Sequence, residues 1–432
     1  MSPSSTGPTP TAEGLVRVIR KWDLVGIAIN TVIGAGIFGL PAVAYARTGV
    51  YSLAAFAGCA LLVLLIVLCF AEVSSRFGET GGPYLYARTA FGPLVGFEVG
   101  WMMWIARVAS LAANCNLFAS YLTFFLPGAD TGVFRVAVVA TLVGGLTAVN
   151  LRGVRGTAVA SNVFTVAKLA PLALFVVVGL FFLEPTRYTP GPAPTLDAFS
   201  ATVLLLLYAF AGFETMVIAG GEARDPARDL PRALLLAIGV VTTVYVLVQV
   251  VAIGTLPGLA DASRPLTDAT ARFLGPVGAV IITAGALVSI LGNLNVTLMM
   301  APRLLFAKAR RAELPRWLAS THPRFHTPDT ALYLSSAVVL LLALSGSFVY
   351  AATVSVIARL LSYASTCAAL PVLRRRTDVG AAGFVVPAGG LVAVASLGLV
   401  FWLVTAATRA QLLGAGVAAA LGLLLYGASR RR

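Results

Sequence analysis

Ile33-Gly34-Ala35-Gly36-Ile37-Phe38 sets a pair of glycines in the middle of the first long apolar segment of the chain. In the second half another apolar segment is interrupted in the same way, at Phe210-Ala211-Gly212-Phe213-Glu214. In hydrocarbon every backbone N–H and C=O needs a partner, so unwound backbone persists only where it is buried in protein or lines a cavity. Two interrupted segments at corresponding places in two halves of a hydrophobic chain point to a binding site at the bilayer midplane.

Working outward, 59% of the residues are hydrophobic, 11% are charged and 42 are glycine, a balance outside the range of soluble globular domains. Apolar runs of about 20 residues, long enough for a hydrocarbon core of ~30 Å, recur along nearly the whole length. Twelve are read, near 24–46, 52–72, 94–126, 133–150, 159–183, 198–220, 233–256, 276–306, 331–346, 349–372, 384–405 and 411–427. The expectation is an all-α integral membrane protein of about 12 transmembrane helices, with spans 1 and 6 discontinuous. Residues 1–20, rich in Ser, Thr, Pro and Gly, read as a disordered tail rather than a signal peptide. No stretch is left over to form an enzyme domain.

The formal net charge of +14 invites a nucleic-acid reading, which the positions of the charges exclude. Arg17, Arg20 and Lys21 precede span 1, and Arg76, Arg88, Arg152, Arg155, Arg224, Arg228 and Arg232 fill alternate loops. Lys308, Arg310, Arg311, Arg316 and Arg324, then Arg374, Arg375 and Arg376, and finally Arg430, Arg431 and Arg432 continue the series. The other loops hold only Arg47, Arg135, Arg187, Arg264, Arg272 and Arg409. This asymmetry is the positive-inside rule; it puts both termini in the cytoplasm and requires an even number of spans across a plasma or inner membrane. Cys59, Cys69, Cys115 and Cys367 all fall inside spans, where small-residue packing explains them without disulfides. His322 and His326 flank Pro323 with no third ligand, so no metal site is expected there.

Trp22-Asp23 before span 1 and the Gly34-Ala35-Gly36-Ile37-Phe38 break resemble the amino acid–polyamine–organocation (APC) superfamily. So do Phe70-Ala71-Glu72 through Gly81-Gly82-Pro83-Tyr84, the span 6 break, Glu222 to Arg232, and Pro302-Arg303 to Leu314-Pro315. The resemblance covers roughly residues 20–376, in register and in order. It implies a transporter core over 21–376, a five-plus-five inverted repeat of spans 1–5 and 6–10, with two additional spans and a basic tail over 377–432. It implies secondary transport of a small-molecule amino acid by alternating access.

The breaks suggest how a zwitterion would be held. The half-helix beginning near Gly36 turns its N-terminal N–H groups, worth about half a positive charge, toward the cavity and toward a carboxylate. Val32, Gly34, Ala35, Gly36 and Ile37 form that side of the expected site, and the carbonyls freed at Phe210 and Ala211, beside Gly212, would take the ammonium. The alternative is that the glycines only permit close helix packing. Where many superfamily members resemble this break but carry Ser or Thr, this chain has Ala35, so the carboxylate would rest on backbone N–H groups alone. Tyr208 and Phe210 are candidates for lining or capping the pocket, against the plainer reading of core packing.

Lys168 in span 5, Arg107 in span 3 and Arg359 in span 10 are cations inside spans, where an ionisable residue is costly and a functional hypothesis by default. In proton-coupled relatives, a lysine at the position Lys168 resembles takes the place of a sodium ion beside the span 1 break. Its ammonium is expected to tie the carbonyls near Gly34 to span 8, at Ser289 or Asn293, and to release them on losing its proton. A fixed strut between spans 5 and 1 is the other reading. Arg107 would repel cationic substrates and welcome a side-chain carboxylate, unless Glu214 neutralises it or it turns away to Glu98. Neutral amino acids therefore rank first, acidic ones second and cationic ones third. The function expected is proton-coupled symport, with protons as the coupling ion and no other cofactor. An ion-independent exchanger is the alternative, followed by a non-transporting amino acid receptor, which the absence of a sizeable soluble domain disfavours. The remaining partners expected are membrane lipids; nothing bears on oligomeric state.

Overall fold

The computed structural model describes residues 19–79, 81–152, 157–325 and 327–430. Most of the tail assigned to 1–20, together with Arg17, Arg155, His326, Arg431 and Arg432, lies outside the described residues. In chain order the first helices are α1 (Lys21–Val32), α2 (Gly36–Thr48), α3 (Ser52–Ser74), α4 (Pro83–Phe91), α5 (Pro93–Leu122), α6 (Gly132–Arg152) and α7 (Thr157–Gly179). They are followed by α8 (Leu196–Phe210), α9 (Glu214–Ile218), α10 (Pro226–Thr255), α11 (Pro265–Arg310), α12 (Asp329–Ser345), α13 (Phe348–Arg374), α14 (Gly389–Thr405) and α15 (Arg409–Arg430). Among the described residues, extended pairing is limited to one parallel bridge between Ile19 and Ala223.

Each of the twelve apolar stretches falls on one of these helices or on one of two broken pairs, α1–α2 and α8–α9. Among the described residues, seven segments are long and apolar enough by themselves to cross a membrane: Gly36–Ser74, Pro93–Leu122, Gly132–Arg152, Pro226–Thr255, Pro265–Arg310, Phe348–Arg374 and Arg409–Ser429. Burial sorts them into layers. In α5 and α13, 78% and 72% of the most apolar stretch is buried within the protein, against 17% in α6 and 11% in α15. Phe181, Leu391, Phe401 and Leu424 stay more than two-thirds exposed, a face that water would penalise and that lipid tails solvate.

Two departures from the sequence expectation have local causes. The eighth apolar stretch extends back to Pro265, because a kink at Gly275 (φ 65°, ψ −163°) joins a short arm to the long helix that starts at Pro276. At the very end of the second apolar stretch, Glu72 reads from sequence, with Glu79, Arg76 and Arg88, as part of the cytoplasmic loop between spans 2 and 3; it is instead fully buried in the last turn of α3. Its carboxylate accepts from Arg374 (2.7 and 2.6 Å), Arg76 (3.3 Å) and the N–H of Val386 (2.8 Å), which ties the segment between α13 and α14 to α3. A buried carboxylate is tolerated only when matched in this way.

Both helix breaks sit against each other, and glycine makes that possible. A Cβ on Gly36 would lie 2.6 Å from Ala209 Cα, and one on Gly34 would lie 2.9 Å from the Asn293 amide nitrogen. Gly212 has φ +127°, and its Cβ would meet the Thr31 carbonyl oxygen at 2.4 Å. No L-residue adopts that backbone without strain.

Candidate functional site

The broken pairs leave carbonyls with no helical partner, and side chains from unbroken helices meet them. Lys168 on α7, 1% exposed, donates from Nζ to the carbonyls of Asn30 (2.8 Å) and Ile33 (3.0 Å). Tyr245 on α10 sets its hydroxyl between the carbonyls of Ala209 (2.9 Å) and Val32 (3.2 Å), so one side chain serves both breaks. Asn293 on α11 approaches the Thr31 carbonyl at 3.5 Å and accepts from Asn114 Nδ2 at 2.8 Å. In the second break, Glu214 accepts the Gly212 N–H at 2.9 Å, which occupies a donor that the interruption would otherwise orphan.

A cavity opens where the breaks meet. Gly34, Ala35 and Gly36 form one wall, Ala211 and Gly212 a second, and Arg107, Ser110 and Asn114 on α5 a third, with Tyr208 and Asn293 completing it. About 40 Å³ is open to the centres of water molecules, space for about three waters. The α2 N-terminus begins at Gly36 with no side-chain cap on its free N–H groups, the arrangement that receives an anion at a helix start. Polar edges come from Asn114, Asn293, Ser110 and the Tyr208 hydroxyl, which lies within hydrogen-bond reach of Asn114 and Ser110.

Of the residues singled out from sequence, Val32, Gly34, Ala35, Gly36, Arg107, Tyr208, Ala211, Gly212 and Asn293 line this cavity, and Arg359 joins them. Ile37 and Phe210 do not. Both are fully buried, and the Phe210 ring packs edge-on against Tyr245 with centroids 5.1 Å apart. The link from Lys168 to span 8 is not made: its ammonium is held by the carbonyls of Asn30 and Ile33 at the end of α1, the Ser289 hydroxyl has no partner among the described residues, and Asn293 bonds to α1 and α5. Glu214 does not neutralise Arg107. It forms an ion pair with Arg359, and its second oxygen takes the Gly212 N–H and the Tyr363 hydroxyl (3.3 Å). Arg107 does not reach Glu98 either, whose carboxylate oxygens are buried without a hydrogen-bond partner among the described residues.

Sequence reasoning missed Tyr245 and Asn114. Neither stands in a motif; a tyrosine or asparagine in an apolar helix is a weak signal until the neighbouring helix is known. Tyr363 was missed for the same reason.

A family model described as amino acid permease matches residues 19–425. An uncharacterized transporter of Mycobacterium tuberculosis (strain ATCC 25618 / H37Rv) is 33% identical over 420 residues, covering 95% of this chain and 92% of that protein. The methylthioribose transporter of Bacillus subtilis (strain 168) is 27% identical, covering 96% and 94% of the two chains. The serine/threonine exchanger SteT of the same organism is 27% identical, covering 97% and 98%. With its paired helix breaks and multi-pass apolar architecture, the chain belongs to the amino acid permease family of the APC superfamily.

Proposed function

We propose that the protein is a secondary active transporter that carries a small amino acid across the membrane by alternating access, coupled to protons. The reading includes twelve crossings, both termini in the cytoplasm, and an inverted repeat whose broken first and sixth spans form the substrate site. The observation that carries it is the convergence of both breaks on one polar cavity, at the start of a helix whose first N–H groups are uncapped. There the substrate carboxylate meets the α2 N-terminus, and the carbonyl side of the second break takes its ammonium.

Coupling rests on Lys168. Among the described residues its ammonium is partnered by backbone carbonyls alone, with no carboxylate to hold its proton, and its two bonds fasten α1 to α7. Loss of the proton weakens that fastening and favours movement of α1. The second reading is exchange without ion coupling, and the relative named as a serine/threonine exchanger favours it. Proteoliposomes given labelled amino acids with an inward proton gradient, an inward sodium gradient or neither separate the two. Accumulation on the proton gradient alone supports symport. Movement only into vesicles preloaded with amino acid means exchange, with Lys168 a fixed strut. Binding without any flux refutes transport.

A further inference from the structure

Arg107 sits at the wall of the cavity, 5% exposed, and its guanidinium makes no hydrogen bond or ion pair with any described residue. Its five N–H donors and full positive charge thus border a polar cavity with no acceptor among the described residues. The one carboxylate beside them, Glu214, is already engaged by Arg359, Tyr363 and the Gly212 N–H. The two arginines and one glutamate leave the cavity wall with a surplus positive charge. A zwitterion, neutral overall, does not cancel it. An amino acid with a second carboxylate does.

We infer that Arg107 is a specificity-determining residue that receives the side-chain carboxylate of a short dicarboxylic amino acid. The inference rests on the proposed transport reading and names its substrate class. The geometry suits it: the α2 N-terminus and Arg107 lie on different walls of the same cavity, so the two carboxylates of one molecule are met separately. A planar guanidinium pairs with carboxylate through two parallel bonds. The limited space selects a short side chain, and the same surplus charge excludes lysine-like and arginine-like substrates.

The test measures binding and uptake of aspartate, glutamate, asparagine, glutamine, serine and alanine by the full-length protein in proteoliposomes, for wild type, Arg107→Gln and Arg107→Lys. The wild type is expected to prefer aspartate over asparagine by about 30-fold or more, the size of a buried charge pair read as a ratio. Arg107→Gln should lose that preference while still taking asparagine or serine, and Arg107→Lys should retain part of it. Retained uptake of the neutral amino acids by Arg107→Gln shows the variant is folded. Equal uptake of aspartate and asparagine by the wild type overturns the inference and leaves the transport reading standing. So does an Arg107→Gln variant that weakens acidic and neutral substrates alike, since Arg107 would then read the α-carboxylate. So does chloride competing for the site without any preference for dicarboxylates. Failure of the wild type to bind any of the six amino acids overturns the transport reading and the inference together.

Discussion

Substituting Gly36 by alanine tests whether the contact between the two breaks is part of the working cycle. The added Cβ would stand 2.6 Å from Ala209 Cα, 2.8 Å from Ala209 Cβ and 3.2 Å from its nitrogen. Two of those atoms belong to the α8 backbone, so no rotamer change relieves the clash and the broken pairs must separate. Overpacking of this kind costs about 1–3 kcal/mol. Alanine recovers little of that through helix propensity, because Gly36 is the first residue of α2 rather than an interior one. At about 1.4 kcal/mol per tenfold, the arrangement in which the breaks meet becomes about 5- to 150-fold less populated. Since that arrangement forms the cavity, half-maximal uptake should require about 5- to 150-fold more substrate. Uptake kinetics in proteoliposomes measure this directly. The companion change Ala209→Gly removes the Cβ contact and leaves Ala209 Cα at 2.6 Å, so the double variant should remain impaired. Wild-type kinetics for Gly36→Ala, or full rescue by the double variant, would refute the reasoning.

Two further substitutions address the groups that hold the breaks. Lys168→Met keeps the volume and removes the donor to Asn30 and Ile33. The Ile33 carbonyl left without this donor costs about 1–3 kcal/mol, offset in part because an ammonium is no longer buried. Proton-driven accumulation should vanish while exchange into preloaded vesicles persists, and undiminished accumulation would remove Lys168 from the coupling. Tyr245→Phe keeps the ring against Phe210 and deletes the hydroxyl between the Val32 and Ala209 carbonyls. Thermal unfolding in detergent should show a loss of about 1–2 kcal/mol, whereas an unchanged transition would mean that water replaces the hydroxyl.

The apolar helices were legible in the sequence because membrane helices are specified locally: an apolar run of sufficient length needs no knowledge of the neighbours. The breaks were legible for the same reason, since glycine at Gly34, Gly36 and Gly212 marks close approach within the segment itself. Pairing was not. Whether Glu214 meets Arg107 or Arg359 depends on which helix lies across from the second break, and three cations in three apolar helices carry no information about that choice. Lys168 shows the boundary well. That it would serve the carbonyls near Gly34 follows from where charge can survive in a membrane, but its lack of contact with α11 depends on helix packing. Glu72 failed in the opposite sense: a carboxylate near a helix end reads as a loop residue, and its burial becomes tolerable only because Arg374, far along the chain, reaches it.

The side chains that donate to the carbonyls at the end of α1, Lys168, Tyr245 and Asn293, come from helices outside the broken pairs, and this limits how α1 can move. Its carbonyls are fastened to α7 through Lys168 and to α10 through Tyr245. Its start is fastened backbone to backbone to the end of the second broken pair, with Ile19 N–H on the Glu222 carbonyl (3.1 Å) and Arg224 N–H on the Ile19 carbonyl (3.0 Å). On the proposed cycle, a swing of α1 either carries the segment after α9 with it or breaks that bridge, and in both cases the Lys168 bonds must be exchanged. Two charge-assisted bonds at about 1.5–3 kcal/mol each amount to about 3–6 kcal/mol. Moving a two-state equilibrium from one side to the other takes about 5.5 kcal/mol. A neutral amine still donates to both carbonyls, so loss of the proton removes only the charge-assisted share, about half of the two bonds' total. On the proposed cycle deprotonation therefore loosens α1, and substrate binding must supply the rest of the shift.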